Sequence, residues 1–323
     1  MKAVRAVAMP ALVALALAVL PRVAAAQGYP ERPVRIIVPI GPGGAYDLVG
    51  RLLANRLSDL LGQSIFVENR TGAGTLVGTQ SAAAAPPDGY TLLVGGLSNI
   101  VFNFALYQKV GYDPEDFVPI ALVYTFPYVM MARRDLPQKN LAEIISYARQ
   151  SPGKLTIAHA GSGSGQQIVG AAFMKLTGTT MVEVPYRTTR GAYPDMLAGR
   201  VDLLFDSTAV ALPFIKANKV RGVALLAPQR YRTMPDLPTI TEAGLPGLGI
   251  ESWIGLFAPA RTPPEVLDRL RSATRVAAEE LKPQFENSGG ELMQMPVAET
   301  DKFIKSEFEL WTRVIRDAGI RLD

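Results

Sequence analysis

Residues 34–44 read VRIIVPIGPGG, and residues 155–165 read LTIAHAGSGSG. Each segment is a short apolar run typical of a buried strand, followed by a glycine-rich turn and then by residues with helical spacing. Backbone N–H groups in such a turn, together with the positive end of the helix dipole, are suited to hold a carboxylate or a phosphate. Two such turns in one chain predict that both face a common cleft.

The segments after the two turns also follow one order. Each turn is followed by a helix, a strand, a second helix and a strand, with the later strands predicted at 64–68, 90–94, 181–184 and 201–205. Two βαβαβ units of this kind predict an α/β protein with mainly parallel sheets and right-handed connections. The repetition therefore indicates two related α/β lobes.

Two apolar segments, 119–132 and 250–258, separate the repeated units, and we interpret them as crossovers between the lobes. The predicted division is a leader at 1–26, a first lobe at 27–126 plus 250–323, and a second lobe at 127–249. The apolar stripe of the final helical segment, which includes Trp311, is predicted to pack on the first lobe.

The amino terminus has the pattern of a secretory signal peptide. Lys2 and Arg5 precede an apolar run from Ala6 to Leu20, and small residues up to Ala26 suit a cleavage site. This run is shorter than the about 20 residues of a membrane-spanning helix. We expect cleavage after Ala26 and export to the periplasm. The sequence has no cysteine, so it carries neither a lipoprotein anchor nor disulfides.

The charge balance argues against a nucleic-acid partner. The chain has 33 Lys and Arg against 29 Asp and Glu, and three of the basic residues, Lys2, Arg5 and Arg22, lie in the leader. The mature chain is thus close to neutral, whereas nucleic-acid binding requires clustered positive charge. We expect a monomer.

Ligands of open α/β sheets bind at the carboxyl ends of the strands. The turns there contain small or hydrogen-bonding residues that suit carboxylate oxygens, although such residues also populate ordinary turns. These candidates are Gly43, Gly44, Ser98, Asn99, Ser162, Ser164, Thr188, Thr189 and Ser207.

Four larger side chains are further candidates for the cleft, and three of them also have a structural interpretation. Asp47 either caps the first helix or recognises a ligand ammonium or hydroxyl group, and Asp206 is a similar candidate at another strand end. Tyr46 offers a ring and a hydroxyl at the cleft edge. Trp253 forms either a hinge or wall of the cleft or, as we favour, part of the core.

Catalytic and metal sites find little support in the sequence. His159 is the sole histidine, and no nucleophile–base pair or G-x-S-x-G motif accompanies it. One histidine without cysteine makes a metal site improbable, and we expect neither a metal nor a cofactor. An exported hydrolase or isomerase that uses the same cleft is the alternative function, and an adhesive or structural surface protein is a second one.

Several motifs together resemble the Bug family, the periplasmic substrate-binding receptors of tripartite tricarboxylate transporters, over essentially the whole mature chain. The matching segments are residues 30–39 (PERPVRIIVP), 42–44 with Asp47, 67–74 (VENRTGAG), 87–93 (PDGYTLL), 112–114 (YDP), 184–187 (VPYR), 235–239 (PDLPT) and 242–244 (EAG).

The resemblance implies a type II periplasmic-binding-protein fold, with two α/β lobes, two crossovers and closure on a small organic anion. It also implies that loop residues matching the family's hold the ligand carboxylate, namely Ile40, Gly41, Pro42, Gly43, Gly44, Ala45, Tyr46 and Asp47 in one lobe and Gly161, Ser162, Gly163 and Ser164 in the other. Tyr46 replaces a small hydroxyl residue of the family and would narrow the pocket mouth.

From the resemblance we expect a receptor for a di- or tricarboxylate, an amino acid or an aromatic acid. The expected partners are the membrane subunits of a transporter, or a sensor.

Overall fold

The computed structural model describes residues 28–317 and 319–321 of the 323-residue chain, so the predicted leader at 1–26 lies outside the described residues. The fold is α/β and its strands form one continuous, curled sheet. The sheet passes through two lobes, each with its own parallel βαβαβ unit.

The first unit starts with an apolar strand and continues to residue 96. Its elements are β1 (Val34–Val38), α1 (Ala45–Leu61), β2 (Ile65–Asn69), α2 (Leu76–Ala83) and β3 (Thr91–Gly96). A π-helical segment (Leu97–Phe102) and α3 (Asn103–Leu106) follow, and a short 3₁₀ turn (Pro114–Asp116) leads to the long strand β4 (Phe117–Arg133). Gly62, in the left-handed conformation at φ 69°, ends α1.

The second unit repeats this order after α4 (Leu141–Gln150). Its elements are β5 (Thr156–His159), α5 (Gly165–Thr177), β6 (Val182–Pro185), a 3₁₀ turn (Thr189–Ala192), α6 (Tyr193–Leu197) and β7 (Leu203–Ser207). The strand orders β2-β1-β3 and β6-β5-β7 are equivalent, and all four pairings within them are parallel. The two units therefore share one topology.

The remaining elements connect and cover the units. They are α7 (Thr208–Lys216), β8 (Val220–Leu225), β9 (Glu251–Pro259), α8 (Pro264–Asn287), β10 (Glu291–Leu292) and α9 (Val297–Asp317). β9 lies between β3 and β4 and is antiparallel to both.

β4 joins the two halves of the sheet. Residues 117–127 of β4 pair with β9, and from Tyr128 onward the strand pairs with β7 and β8. The change of partner follows Pro127, which has no N–H to donate to a ladder. The crossovers predicted at 119–132 and 250–258 coincide closely with β4 and β9, while lobe boundaries at 126/127 and 249/250 stay predictions.

The carboxyl-terminal helix α9 packs on the first lobe. Trp311 is 5 % exposed and its ring centroid lies 5.1 Å from that of Phe102. Trp253 of β9 is buried against Phe303 of the same helix. The carboxylate of Glu307 accepts the indole N–H groups of Trp253 at 3.2 Å and Trp311 at 3.3 Å. Both tryptophans thus have a packing role, as favoured for Trp253.

This packing predicts that Trp311→Ala destabilises the fold. Truncating a large buried aromatic costs about 3–5 kcal/mol of unfolding free energy. Leu310→Ala is the control, because Leu310 is 41 % exposed on the same helix and surface changes alter stability by only about 0.5 kcal/mol. Urea denaturation followed by far-UV circular dichroism measures both, and equal stabilities of the two variants would contradict the assignment.

Candidate ligand-binding site

A cavity of about 600 Å³ lies between the two lobes at the carboxyl ends of their parallel strands. Loops after β1, β2, β5 and β6 line it, together with the end of β7. A larger hollow of about 850 Å³ lies on the outside of the first lobe, beside residues 113–116 and α9. It contains none of the predicted residues, so the inter-lobe cavity is the candidate site.

Most residues predicted for the site line this cavity. They are Ile40, Gly41, Gly44, Ala45, Tyr46, Ser98, Gly161, Ser162, Ser164, Thr188, Thr189, Asp206 and Ser207. The loops of both lobes therefore meet at one place, as the repeated glycine turns imply. Whether each residue contacts a ligand stays a prediction.

Pro42, Gly43, Asp47, Asn99 and Gly163 do not belong to the cavity wall. Asn99 is fully buried within the first lobe, where its amide oxygen accepts the Gly96 N–H at 2.9 Å. Its position in a helical segment, rather than in a turn after β3, explains why it faces the protein.

Gly43, Asp47 and Gly163, which also lie outside the cavity wall, show how the glycine turns are held. The Asp47 carboxylate accepts the Gly43 N–H at 2.9 Å, and the Gln167 amide oxygen accepts the Gly163 N–H at 2.8 Å. Both glycines have positive φ, 89° and 78°. Asp47 and Gln167 each occupy the third position of their helix, after the N-caps Gly44 and Ser164. The two turns therefore have equivalent braces.

Asp47 is not the N-cap of α1, because Gly44 occupies that position. Its carboxylate instead accepts hydrogen bonds that hold the turn. Burial by itself would raise the pKa of its carboxyl, but hydrogen bonds from Arg51, Gly43 and Asn69 outweigh it and lower the pKa. Asn69 donates to it at 2.9 Å and also donates to the Ile40 carbonyl at 3.0 Å. Because these donors surround the carboxylate, the geometry favours the bracing role over contact with a ligand.

Tyr46 forms an inner part of the wall. The side chain is 6 % exposed, and its hydroxyl oxygen accepts the Ser98 N–H at 3.3 Å. Burial raises the pKa of Tyr46 to about 12. The expected placement at the cleft edge was wrong, because the first turn of α1 points this side chain toward β3 and not outward.

The lobes approach each other at positions without side chains. A Cβ built on Gly41 would lie 2.6 Å from Thr188 Cγ2, and one on Gly74 would lie 2.7 Å from the Ser162 carbonyl oxygen. Gly43 faces the side chain of Arg190 in the same way. The cleft is therefore closed, and glycines of the first lobe permit the close approach of second-lobe loops.

Asp206 is the acidic side chain of the cavity wall and is fully buried. It accepts hydrogen bonds from the Ser207 N–H at 2.8 Å, the Tyr193 hydroxyl at 3.0 Å and the Gln166 amide at 3.3 Å. Burial raises the pKa of Asp206 to about 6, although these donors and the Thr189 hydroxyl act to lower it. Among the described residues, the groups that lower the pKa of Asp206 are all neutral hydrogen-bond donors and include no cation.

Eleven further residues line the cavity and were missed. They are Thr71, Gly72, Ala73, Gly74, Thr75, Phe126, Tyr128, Ala160, Gln166, Tyr186 and Arg187. The 71–75 loop follows β2, so the strand-end rule could have identified it. Phe126 and Tyr128 lie on β4, where only the crossing of the two sheets brings them to the cavity.

The described residues show no group of three or more His, Cys, Asp or Glu side chains suited to a metal ion. His159 ends β5 and is 5 % exposed, but it does not line the cavity. None of the described helices has the length and apolar character needed to cross a membrane.

Residues 49–320 match the model of the tripartite tricarboxylate transporter family receptor. The chain belongs to this receptor family. The match begins after the first glycine turn and covers both predicted crossovers and most of the remaining chain.

The fold of this chain is similar to solved structures of periplasmic binding proteins. The periplasmic binding protein BugD has a TM-score of 0.86 and 32 % identity, covering 91 % of this chain and 100 % of that one. Rpa4515 of R. palustris, solved with adipate, has a TM-score of 0.86 and 31 % identity with the same coverage. MatC from Rhodopseudomonas palustris, solved with malate, has a TM-score of 0.84 and 33 % identity, covering 89 % and 100 %. The receptor thus has the two-lobed periplasmic-binding-protein fold.

Gly41→Val is expected to weaken ligand binding by more than tenfold, because the added side chain meets Thr188 and holds the lobes apart. Calorimetry with a carboxylate that the wild type binds measures the effect, and circular dichroism checks folding. Gly249→Ala is the control, since a Cβ there meets no atom within 4 Å. Equal affinities of the two variants would contradict the closed geometry.

Asp206→Asn is expected to stabilise the receptor at pH 7.5. The raised pKa of Asp206 means that the folded chain binds a proton more readily than the unfolded chain, so ionisation above pH 6 opposes folding. A shift from 3.8 to about 6 corresponds to about 3 kcal/mol at 1.36 kcal/mol per unit. The gain in unfolding free energy of Asp206→Asn over the wild type should fall toward zero near pH 4.

Denaturant unfolding at both pH values measures this gain. Asp47→Asn is the matched control of opposite sign, because the pKa of Asp47 is lowered and its ionised form stabilises the fold. That stability should be present at pH 7.5 and lost as the pH falls through the lowered pKa. A gain for Asp206→Asn that is independent of pH would contradict the assigned ionisation.

Proposed function

We propose that the receptor captures a small dicarboxylate, or a related carboxylated molecule, in the inter-lobe cavity and delivers it to a tripartite tricarboxylate-type transporter. The observation that carries this proposal is the pair of braced glycine turns at the N-termini of α1 and α5, which face one cavity from opposite lobes. The first N–H groups of each helix have no partner within the helix, and carboxylate oxygens suit them.

The size and polarity of the cavity support a small anion. A volume of about 600 Å³ accommodates a molecule the size of a short-chain diacid together with bound water. Hydroxyls of Ser98, Ser162 and Thr188 line the wall. Adipate and malate, found in two similar structures, are both dicarboxylates.

Closure supplies the mechanism of capture. A ligand that contacts loops of both lobes favours the closed state over the open state by the contacts made only when the lobes meet. The close approach of Gly41 to Thr188 and of Gly74 to Ser162 shows where the lobes meet around the cavity. The closed surface is then the form that a transporter subunit would distinguish from the empty receptor.

Site composition also bears on the enzyme alternative. Tyr46, Tyr128, Tyr186 and Asp206 are the titratable acids among the described residues of the wall, and burial raises the pKa of each. None of these groups has a histidine or lysine partner in the wall to act as a base toward a nucleophile. We therefore propose that the protein binds its ligand without a chemical step. We also propose that it acts as a monomer in the periplasm.

Native mass spectrometry of gently purified receptor, followed by thermal shift with a panel of diacids, amino acids and aromatic acids, tests the proposal. At a hundredfold excess over its Kd, a ligand adds about 2.7 kcal/mol of stability, so a bound acid should raise Tm clearly. Dicarboxylates are expected to give the largest shifts. Absence of any shift across the panel, or turnover of a panel member, would contradict the proposed function.

A further inference from the structure

Asp206 and Arg187 are the charged side chains among the residues that line the cavity. Asp206 is fully buried at the end of β7, whereas Arg187 is exposed at the end of the loop after β6. The wall therefore has a negative group in its interior and a positive group toward solvent. This separation of charge favours one orientation of a bound anion, with its negative groups toward Arg187 and away from Asp206.

No cation among the described residues balances the negative charge of Asp206. Its partners are a backbone N–H, the hydroxyls of Tyr193 and Thr189 and the Gln166 amide from α5, all of them neutral. The Gln166 contact, at 3.3 Å, is longer than those from Ser207 and Tyr193, and Gln166 itself lines the cavity. A ligand donor can therefore reach the Asp206 oxygen on the side now taken by the Gln166 hydrogen bond.

We propose that Asp206 makes this receptor select carboxylates that also carry a hydrogen-bond donor, a hydroxyl or an ammonium group, over carboxylates with an unsubstituted chain. The inference rests on the proposed function and names the feature of the ligand that this chain's own pocket recognises. It assigns to Asp206 the donor recognition that the sequence suggested equally for Asp47.

The physical reason is the low dielectric of the closed cleft. A second carboxylate beside a buried carboxylate is repelled, and the repulsion is strong where water is excluded. A hydroxyl or ammonium group there instead donates a charge-assisted hydrogen bond to Asp206. The carboxylates of the ligand then lie toward the helix N-termini and Arg187, away from Asp206.

Succinate, malate and aspartate test the proposal, because they differ only in the group on C2: hydrogen, hydroxyl or ammonium. Calorimetry at pH 8 with the full mature receptor should show malate or aspartate binding at least tenfold more tightly than succinate. Comparison of malate with aspartate shows whether a hydroxyl or an ammonium group is the preferred donor. If four-carbon acids are too short to bind, adipate and 2-aminoadipate form the corresponding pair.

The Asp206→Asn receptor keeps the size of the side chain and removes its charge. The preference for the donor-bearing acid should fall to threefold or less, with tighter binding of the unsubstituted acid. Asp206→Ser is a second neutral variant in case the first folds poorly, and thermal melting checks both. Asp135→Asn, an exposed change in the second lobe, should keep the wild-type preference.

A preference that survives both Asp206 variants, or its absence in the wild type, would overturn the inference while leaving the receptor function intact. If no member of either series binds the wild type, the inference is overturned, and if the wider acid panel also gives no thermal shift, the proposed function fails too. A preference lost in both Asp206 variants and retained in Asp135→Asn supports the inference.

Discussion

The backbone ladder along β4 is the constraint on which the rest of the molecule depends. This strand of 17 residues pairs with β9 in its first part and with β7 and β8 in its second. Since both halves of the sheet are bonded to one strand, the carboxyl ends of two separate βαβαβ units are held opposite each other. The cavity exists because those two edges face one another, and Phe126 and Tyr128 form its floor where the strand changes partners.

Each lobe contains the same braced glycine turn at the start of a helix. A glycine with positive φ precedes an N-cap, and the third residue of the helix accepts the N–H of that glycine. The brace uses an aspartate in one lobe and a glutamine in the other, so the geometry is shared while the charge is not. In α5 the N–H groups of Ser164 and Gln167 also have partners, the Gly161 carbonyl and the Ser164 hydroxyl, so the turn is held by several internal hydrogen bonds.

Asp206 combines a cost in stability with the recognition role that we propose for it. A fully buried carboxylate with neutral partners opposes folding when ionised, and binding sites are where such costs are commonly retained. Asp47 shows the contrasting case in the same protein, since its donors lower its pKa and stabilise the turn. Asp47 in the first turn of α1 and Asp206 near the end of β7 thus have opposite electrostatic environments.

The sequence by itself determined the alternation of strands and helices, the repeat and the two glycine turns, because these depend on periodicity and on local backbone requirements. The family followed from the resemblance of its motifs. The sequence also located part of the cavity wall, with Ser162 and Thr188 identified through the rule that strand ends share an edge and Gly41 through the family resemblance. It could not decide between bracing and binding for Asp47, or place Tyr46 and Tyr128. Those assignments depend on which neighbours surround a side chain once distant segments pack, and only the tertiary structure decided them.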